Sequence, residues 1–154
     1  GGAMASCGVR GGAERGRGWH EGGRGPNKPR GMEDLIACAE TLTAKGIAPL
    51  RGPVATGSSM AGVLVPTAVL RKPSAFGGMV VRVGVVNASR MAQAENGANQ
   101  FSEVGDPADP KQFADLVAIL SEINLKLAPA LAARVHDDVE RQMLEAASRV
   151  VPSG

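Results

Sequence analysis

Glycine is unevenly spread along the chain, and that distribution constrains the fold more than any other feature. Eleven of the 21 glycines fall within residues 1–31, where few apolar residues accompany Trp19. A segment with little apolar surface to bury cannot offset the entropy of ordering its backbone. Residues 1–31 are therefore expected to form a disordered arm. A single α+β domain is expected over 32–150, with a short tail over 151–154. Apolar residues make up 44% of the chain, enough for a core. Its aromatics are only Trp19, Phe76, Phe101 and Phe113, so the core must rest on Leu, Val, Ile, Met and Ala.

Periodicity places the elements of that domain. Met32, Leu35, Ile36, Ala39 and Leu42 form one apolar stripe, Glu33 and Asp34 suit a first turn, and Lys45-Gly46 is a stop signal. A helix is predicted over 32–45. Residues 46–62, rich in Gly, Pro and Ser, read as a loop. The run 62–70 is apolar and β-branched but contains Pro66, which suggests an edge strand. Alternation of Met79, Val81, Val83 and Val85 with Val80, Arg82, Gly84 and Val86 predicts a strand over 79–86. The two strands are expected to pair as a hairpin, and a short helix follows over about 88–96. Asp109-Pro110 is a helix start, with an N-cap followed by a first-turn proline. Helices are predicted over 110–127 and 130–149, either as a hairpin or as a rod kinked at Pro129. The small sheet would be covered by the N-terminal helix and this C-terminal pair.

Charge is also asymmetric. Residues 1–31 carry Arg10, Arg15, Arg17, Arg24, Lys28 and Arg30 against Glu14 and Glu21, a net +4, while the whole chain is only +2. The tracts Arg10-Gly11-Gly12, Arg15-Gly16-Arg17-Gly18 and Gly22-Gly23-Arg24-Gly25 resemble the RG and RGG tracts of RNA-binding proteins. That resemblance implies contact with RNA or another polyanion through those six cations, with Trp19 as a stacking surface. The stripe Leu131, Val135, Val139 and Met143 is expected to support self-association into a homo-oligomer. The leading expectation is thus a non-enzymatic binding or assembly protein.

The candidates for chemistry are sparse. Gly57-Ser58-Ser59-Met60-Ala61 resembles the nucleophile segment of subtilisin-like proteases, which would make Ser59 the nucleophile. That family needs a histidine and an aspartate upstream. The single upstream histidine, His20, falls in the expected arm, and the chain is too short for that fold, so the run is read as a loop. His136-Asp137-Asp138 is similar to part of the site of metal-dependent phosphohydrolases, but the further ligands are missing and no metal is expected. No P-loop or dinucleotide fingerprint is present, so no cofactor is expected. Cys7 and Cys38 form no disulfide framework or zinc spacing and read as free thiols of an intracellular protein, cytoplasmic or nuclear. No apolar run reaches the roughly 18 residues that would span a bilayer. Two alternatives accompany the leading one. A helix, then Pro53-Val54-Ala55-Thr56-Gly57, then the strand near Val81–Val85 resembles small phage tail-completion proteins. A small enzyme with its site at a subunit interface is the other.

Overall fold

The computed structural model describes residues 2–82, 84–85, 88–93 and 96–122. Five helices and two strands are present among them: α1 (Arg17–Glu21), α2 (Lys28–Ala44), β1 (Val54–Ser58), α3 (Ala61–Arg71), β2 (Gly78–Arg82), α4 (Phe101–Val104) and α5 (Pro110–Glu122). Short 3-10 turns occupy Gly25–Asn27, Pro73–Ala75, Ala88–Gln93 and Gly97–Gln100. This is a mixture of helices with a small sheet, consistent with the α+β class.

The sheet is not the expected hairpin. β1 and β2 run parallel, with Val54 opposite Gly78 and Ser58 opposite Arg82. Parallel neighbours need a crossover, and α3 is that crossover. The run expected as an edge strand is therefore a helix. The reason is burial: Gly62, Val63 and Val65–Ala68 are all buried. A helix covered on most sides loses its polar stripe and reads like a buried strand. Pro66 lies inside it, where its missing N–H costs one bond of the helical ladder. The strand partner came instead from Val54–Ser58, within the stretch read as a loop. β2 ends at Arg82, and residues 84 and 85 continue without strand pairing.

Helix α3 sits at the centre of the core. Val63, Val65 and Ala68 join Met32 and Ala39 of α2, Leu116 and Ile119 of α5, Val104, Phe76 and Met91. Ala55 is buried on one face of the sheet, while Val54 and Val80 on the other are 60% and 50% exposed. Asp109 caps α5, its Oδ1 accepting the N–H of Lys111 at 2.9 Å and of Gln112 at 3.0 Å.

The N-terminal segment also departs from expectation. Part of it is helical (α1), and α2 begins at Lys28, ahead of the expected Met32. Cys7 and Cys38 are not free thiols but a disulfide, with Cα atoms 6.2 Å apart. Arg10 grips Asp34 with Nε to Oδ2 at 2.8 Å, a second side-chain nitrogen to Oδ1 at 2.6 Å, and its backbone N–H to Oδ2 at 2.8 Å. Glycine makes this close approach possible. A Cβ on Gly31 would meet the Arg10 carbonyl oxygen at 2.6 Å. Composition alone missed these tethers because each is a single long-range contact rather than a patch of apolar surface.

No helix among the described residues is long and apolar enough to cross a membrane. The expected helix 130–149, the remainder of 110–127, the tail, the His136-Asp137-Asp138 group and the self-association residues Leu131, Val135, Val139 and Met143 lie outside the described residues.

Candidate active site

Between β1 and α3 the chain turns sharply at Ser59. Its φ is 53°, and among the described residues it is the one non-glycine with positive φ. A side chain in this left-handed region costs on the order of 1–3 kcal/mol, and such outliers cluster at functional sites. Three backbone bonds hold the turn. The Ser59 N–H donates to the Arg82 carbonyl at 3.3 Å, while its own carbonyl accepts from Val85 N–H and Gly62 N–H, both at 2.9 Å. The chain leaving β2 thus clamps the turn from the side, and the first bond of α3 clamps it from below.

The neighbouring small residues have steric reasons to be small. A Cβ on Gly57 would lie 2.6 Å from the Ala61 Cβ and 2.9 Å from Val65 Cγ2. A Cβ on Gly62 would lie 2.5 Å from the Val85 nitrogen. The Ser59 side chain is exposed. It stands at the N-terminal end of α3, where unpaired N–H groups and the helix dipole favour developing negative charge. A strand, a strained serine and then a buried helix is the arrangement of a nucleophile elbow, whose usual pattern is G-x-S-x-G. Here the last glycine is replaced by Ala61, while Gly57 keeps the first position.

The basic residues proposed for nucleic-acid contact are placed very differently. Glu103 of α4 gathers three of the segment's side chains: its carboxylate lies 3.2 Å from His20 Nε2 and 3.4 Å from Arg24 Nε, whose N–H donates to the Ser102 carbonyl at 2.9 Å, and it accepts from Lys28 Nζ at 3.5 Å. Lys28 is buried, and burial pushes its ammonium below the ordinary lysine range, with Glu103 opposing the shift. Arg10 holds the Asp34 carboxyl below its ordinary range. Arg17 pairs with Glu21 at 2.6 Å. Arg15 lies over the Trp19 ring, 4.8 Å from its centroid. Trp19 Nε1 donates to the Val9 carbonyl at 3.0 Å and to Glu14 at 2.9 Å. Arg30 is exposed on α2. Three of the six cations, Arg10, Arg24 and Lys28, are spent inside the fold, Arg15, Arg17 and Arg30 are exposed, and Trp19 is committed to its own neighbours.

Among the described residues no group of three or more His, Cys, Asp and Glu side chains could hold a metal ion. A cleft of about 280 Å³ lies between Arg24, Pro26, Phe101 and Gln112, and no elbow residue lines it.

Residues 1–139 match the prolyl oligopeptidase family of peptidases. The chain belongs to that family. An uncharacterized peptidase of Sinorhizobium fredii is 31% identical over 82% of this chain and 17% of its own length. The dual function macrocyclase-peptidase of Galerina marginata is 33% identical over 75% of this chain and 16% of its own. The solved structure of prolyl oligopeptidase B from Galerina marginata superposes with a TM-score of 0.69 at 33% identity, covering 75% of this chain and 16% of that one. This chain therefore spans about one-sixth of the length of the relatives it matches.

Family membership overturns the expectation of a non-enzymatic RNA-binding or assembly protein, because the relatives are named peptidases and prolyl endopeptidases. The subtilisin-like comparison demanded a histidine upstream. In α/β-hydrolases the acid and the histidine follow the serine instead. The signal that could have found the site was the order strand, G-x-S, buried helix. Burial of α3 on most sides obscures that order, because such a helix reads like a buried strand.

Proposed function

We propose that this chain carries the nucleophile of a serine peptidase acting on peptides at proline, with Ser59 as the attacking residue. The observation that carries this reading is the left-handed Ser59 at the β1–α3 junction, in a chain of the prolyl oligopeptidase family. Its Oγ attacks the scissile carbonyl, and the tetrahedral oxyanion forms beside the first turn of α3. The N–H of Met60, the residue after the nucleophile, is the donor that this arrangement assigns to the oxyanion. The strained backbone keeps the hydroxyl exposed and the N–H aimed at the same point before substrate arrives, so little reorganisation is needed on attack. The proton of Oγ passes to a histidine oriented by a carboxylate, both following Ser59 in the order of the α/β-hydrolases. The names of the relatives support proline as the recognised residue.

The test is labelling with a fluorophosphonate, which traps an activated serine by phosphonylation. The adduct is expected on the peptide containing Ser59 and is expected to vanish in Ser59→Ala. An adduct on another serine would refute the assignment. A chromogenic peptide with proline before the scissile bond, compared with one bearing alanine there, tests the substrate class.

A further inference from the structure

We propose that the Cys7–Cys38 disulfide is a redox latch that seats residues 7–12 on α2, and that a dithiol reductant releases it. Residues 2–6 are all exposed, and Cys7 is the first partly buried residue after them. Both cysteines are only partly buried, which leaves the bond open to an attacking thiolate. Beyond the disulfide, the seat is built from polar contacts: Arg10 on Asp34, the Val9 carbonyl accepting from Trp19 Nε1 at 3.0 Å, and Gly11 N–H donating to the Trp19 carbonyl at 3.1 Å. The partly buried apolar residue in this stretch is Val9, so little hydrophobic energy replaces the covalent link when it opens.

The seat reaches toward the nucleophile. Gly31 of α2 has the Arg10 carbonyl on one side, and a Cβ there would lie 3.2 Å from Leu64 Cδ1. Leu64 belongs to the first turns of α3, the helix that starts two residues after Ser59. Residues 7–12 therefore sit against α2 at Gly31, the point where α2 also meets Leu64 of α3.

Release is an ordinary exchange. One thiolate of the reductant attacks a Cys sulfur, breaks the S–S bond and leaves a mixed disulfide, and the departing Cys thiolate takes up a proton. The second thiol of the reductant displaces the other Cys, which is protonated in turn. Two electrons and two protons reach the protein, and the reductant leaves as its own disulfide.

The chain contains its own reporter, since Trp19 is the single tryptophan and bonds directly to Val9. Full-length protein would be titrated with dithiothreitol while thiols are counted by alkylation and mass. Reduction is expected to expose two alkylatable cysteines, to shift Trp19 emission, and to speed tryptic cleavage after Arg10. The double variant Cys7→Ser/Cys38→Ser is expected to match the reduced protein whether or not dithiothreitol is present. Two free thiols in protein purified without reductant would overturn the proposal. So would complete reduction with unchanged emission and unchanged cleavage. The effect on Ser59 rests on the peptidase reading: fluorophosphonate labelling is expected to slow on reduction. Equal labelling in both states overturns the coupling to the nucleophile. No labelling in either state counts against the peptidase reading, and the latch is then judged by Trp19 and Arg10 alone.

Discussion

Residues 7–31 and residues 54–71 handle polar groups in opposite ways. In the first region, Arg10, Arg24 and Lys28 turn toward Asp34 and Glu103 of the same fold, and two of the segment's own acids meet Arg17 and Trp19. In the second, one small hydroxyl is left exposed on a backbone conformation that costs energy to hold. The first region had the stronger signal by composition and charge, the second the stronger one by geometry. Net charge counts groups without regard to where they point. Backbone strain persists only where the surroundings enforce it, so strain rather than charge marks the residue proposed as nucleophile.

The comparison can be broken most directly at the serine. Ser59→Ala should lower peptide cleavage by roughly 10⁶-fold while leaving the unfolding midpoint nearly unchanged. A steady-state assay beside a denaturant titration reads both, and a modest loss of rate would remove Ser59 from the nucleophile role. The cation cluster should show the reverse pattern. Glu103→Gln leaves buried Lys28 without its charged partner and should destabilise by about 2 kcal/mol, below the full cost of a buried pair because Glu103 is partly exposed. Lys28→Met should cost less than about 1 kcal/mol, since it removes a desolvated charge. Urea unfolding of the two variants separates them, and equal losses would mean that Lys28 is not held by charge.

The glycine beside the elbow offers a sharper probe. Gly62→Ala puts a methyl against the backbone at Val85, which should cost about 1–3 kcal/mol and loosen the clamp on Ser59. Lost stability with an unaltered rate of fluorophosphonate labelling would show that the clamp does not position the nucleophile. The smallest effect concerns pH. Arg10 depresses the Asp34 pKa in the folded state, so its stabilisation is fully present above the unfolded value near 3.9 and fades as pH falls through the lower folded value. Asp34→Asn should therefore be less stable than the parent at neutral pH and converge with it in acid. Unfolding midpoints from pH 7 down to pH 2 would reveal a constant gap if the carboxylate played no part.

Local signals were legible in proportion to how local they were. Asp109-Pro110 marked the start of α5 because capping involves residues a few positions apart. The stripe from Met32 marked α2 because its period survives on a half-buried helix. Residues 62–70 read as a strand because burial on most sides of the helix weakens that period. The pairing of Val54–Ser58 with Gly78–Arg82 was invisible because a parallel partner lies beyond an entire helix.

By itself, the sequence determined where two helices form and that a core of aliphatic residues had to be built with few aromatics. It also contained Gly57-Ser58-Ser59, the raw material of the elbow. Tertiary structure decided the rest. It joined Cys7 to Cys38, set His20, Arg24 and Lys28 around Glu103, and placed Ser59 between a strand and a buried helix. Each of these outcomes depends on groups far apart in the chain meeting at hydrogen-bonding or bonding distance, which no short window of sequence can express. The sequence alone offered Ser59 as a serine in a short resemblance, and the tertiary structure added the neighbouring backbone at Arg82 and Val85 that holds it in a conformation a free chain would avoid.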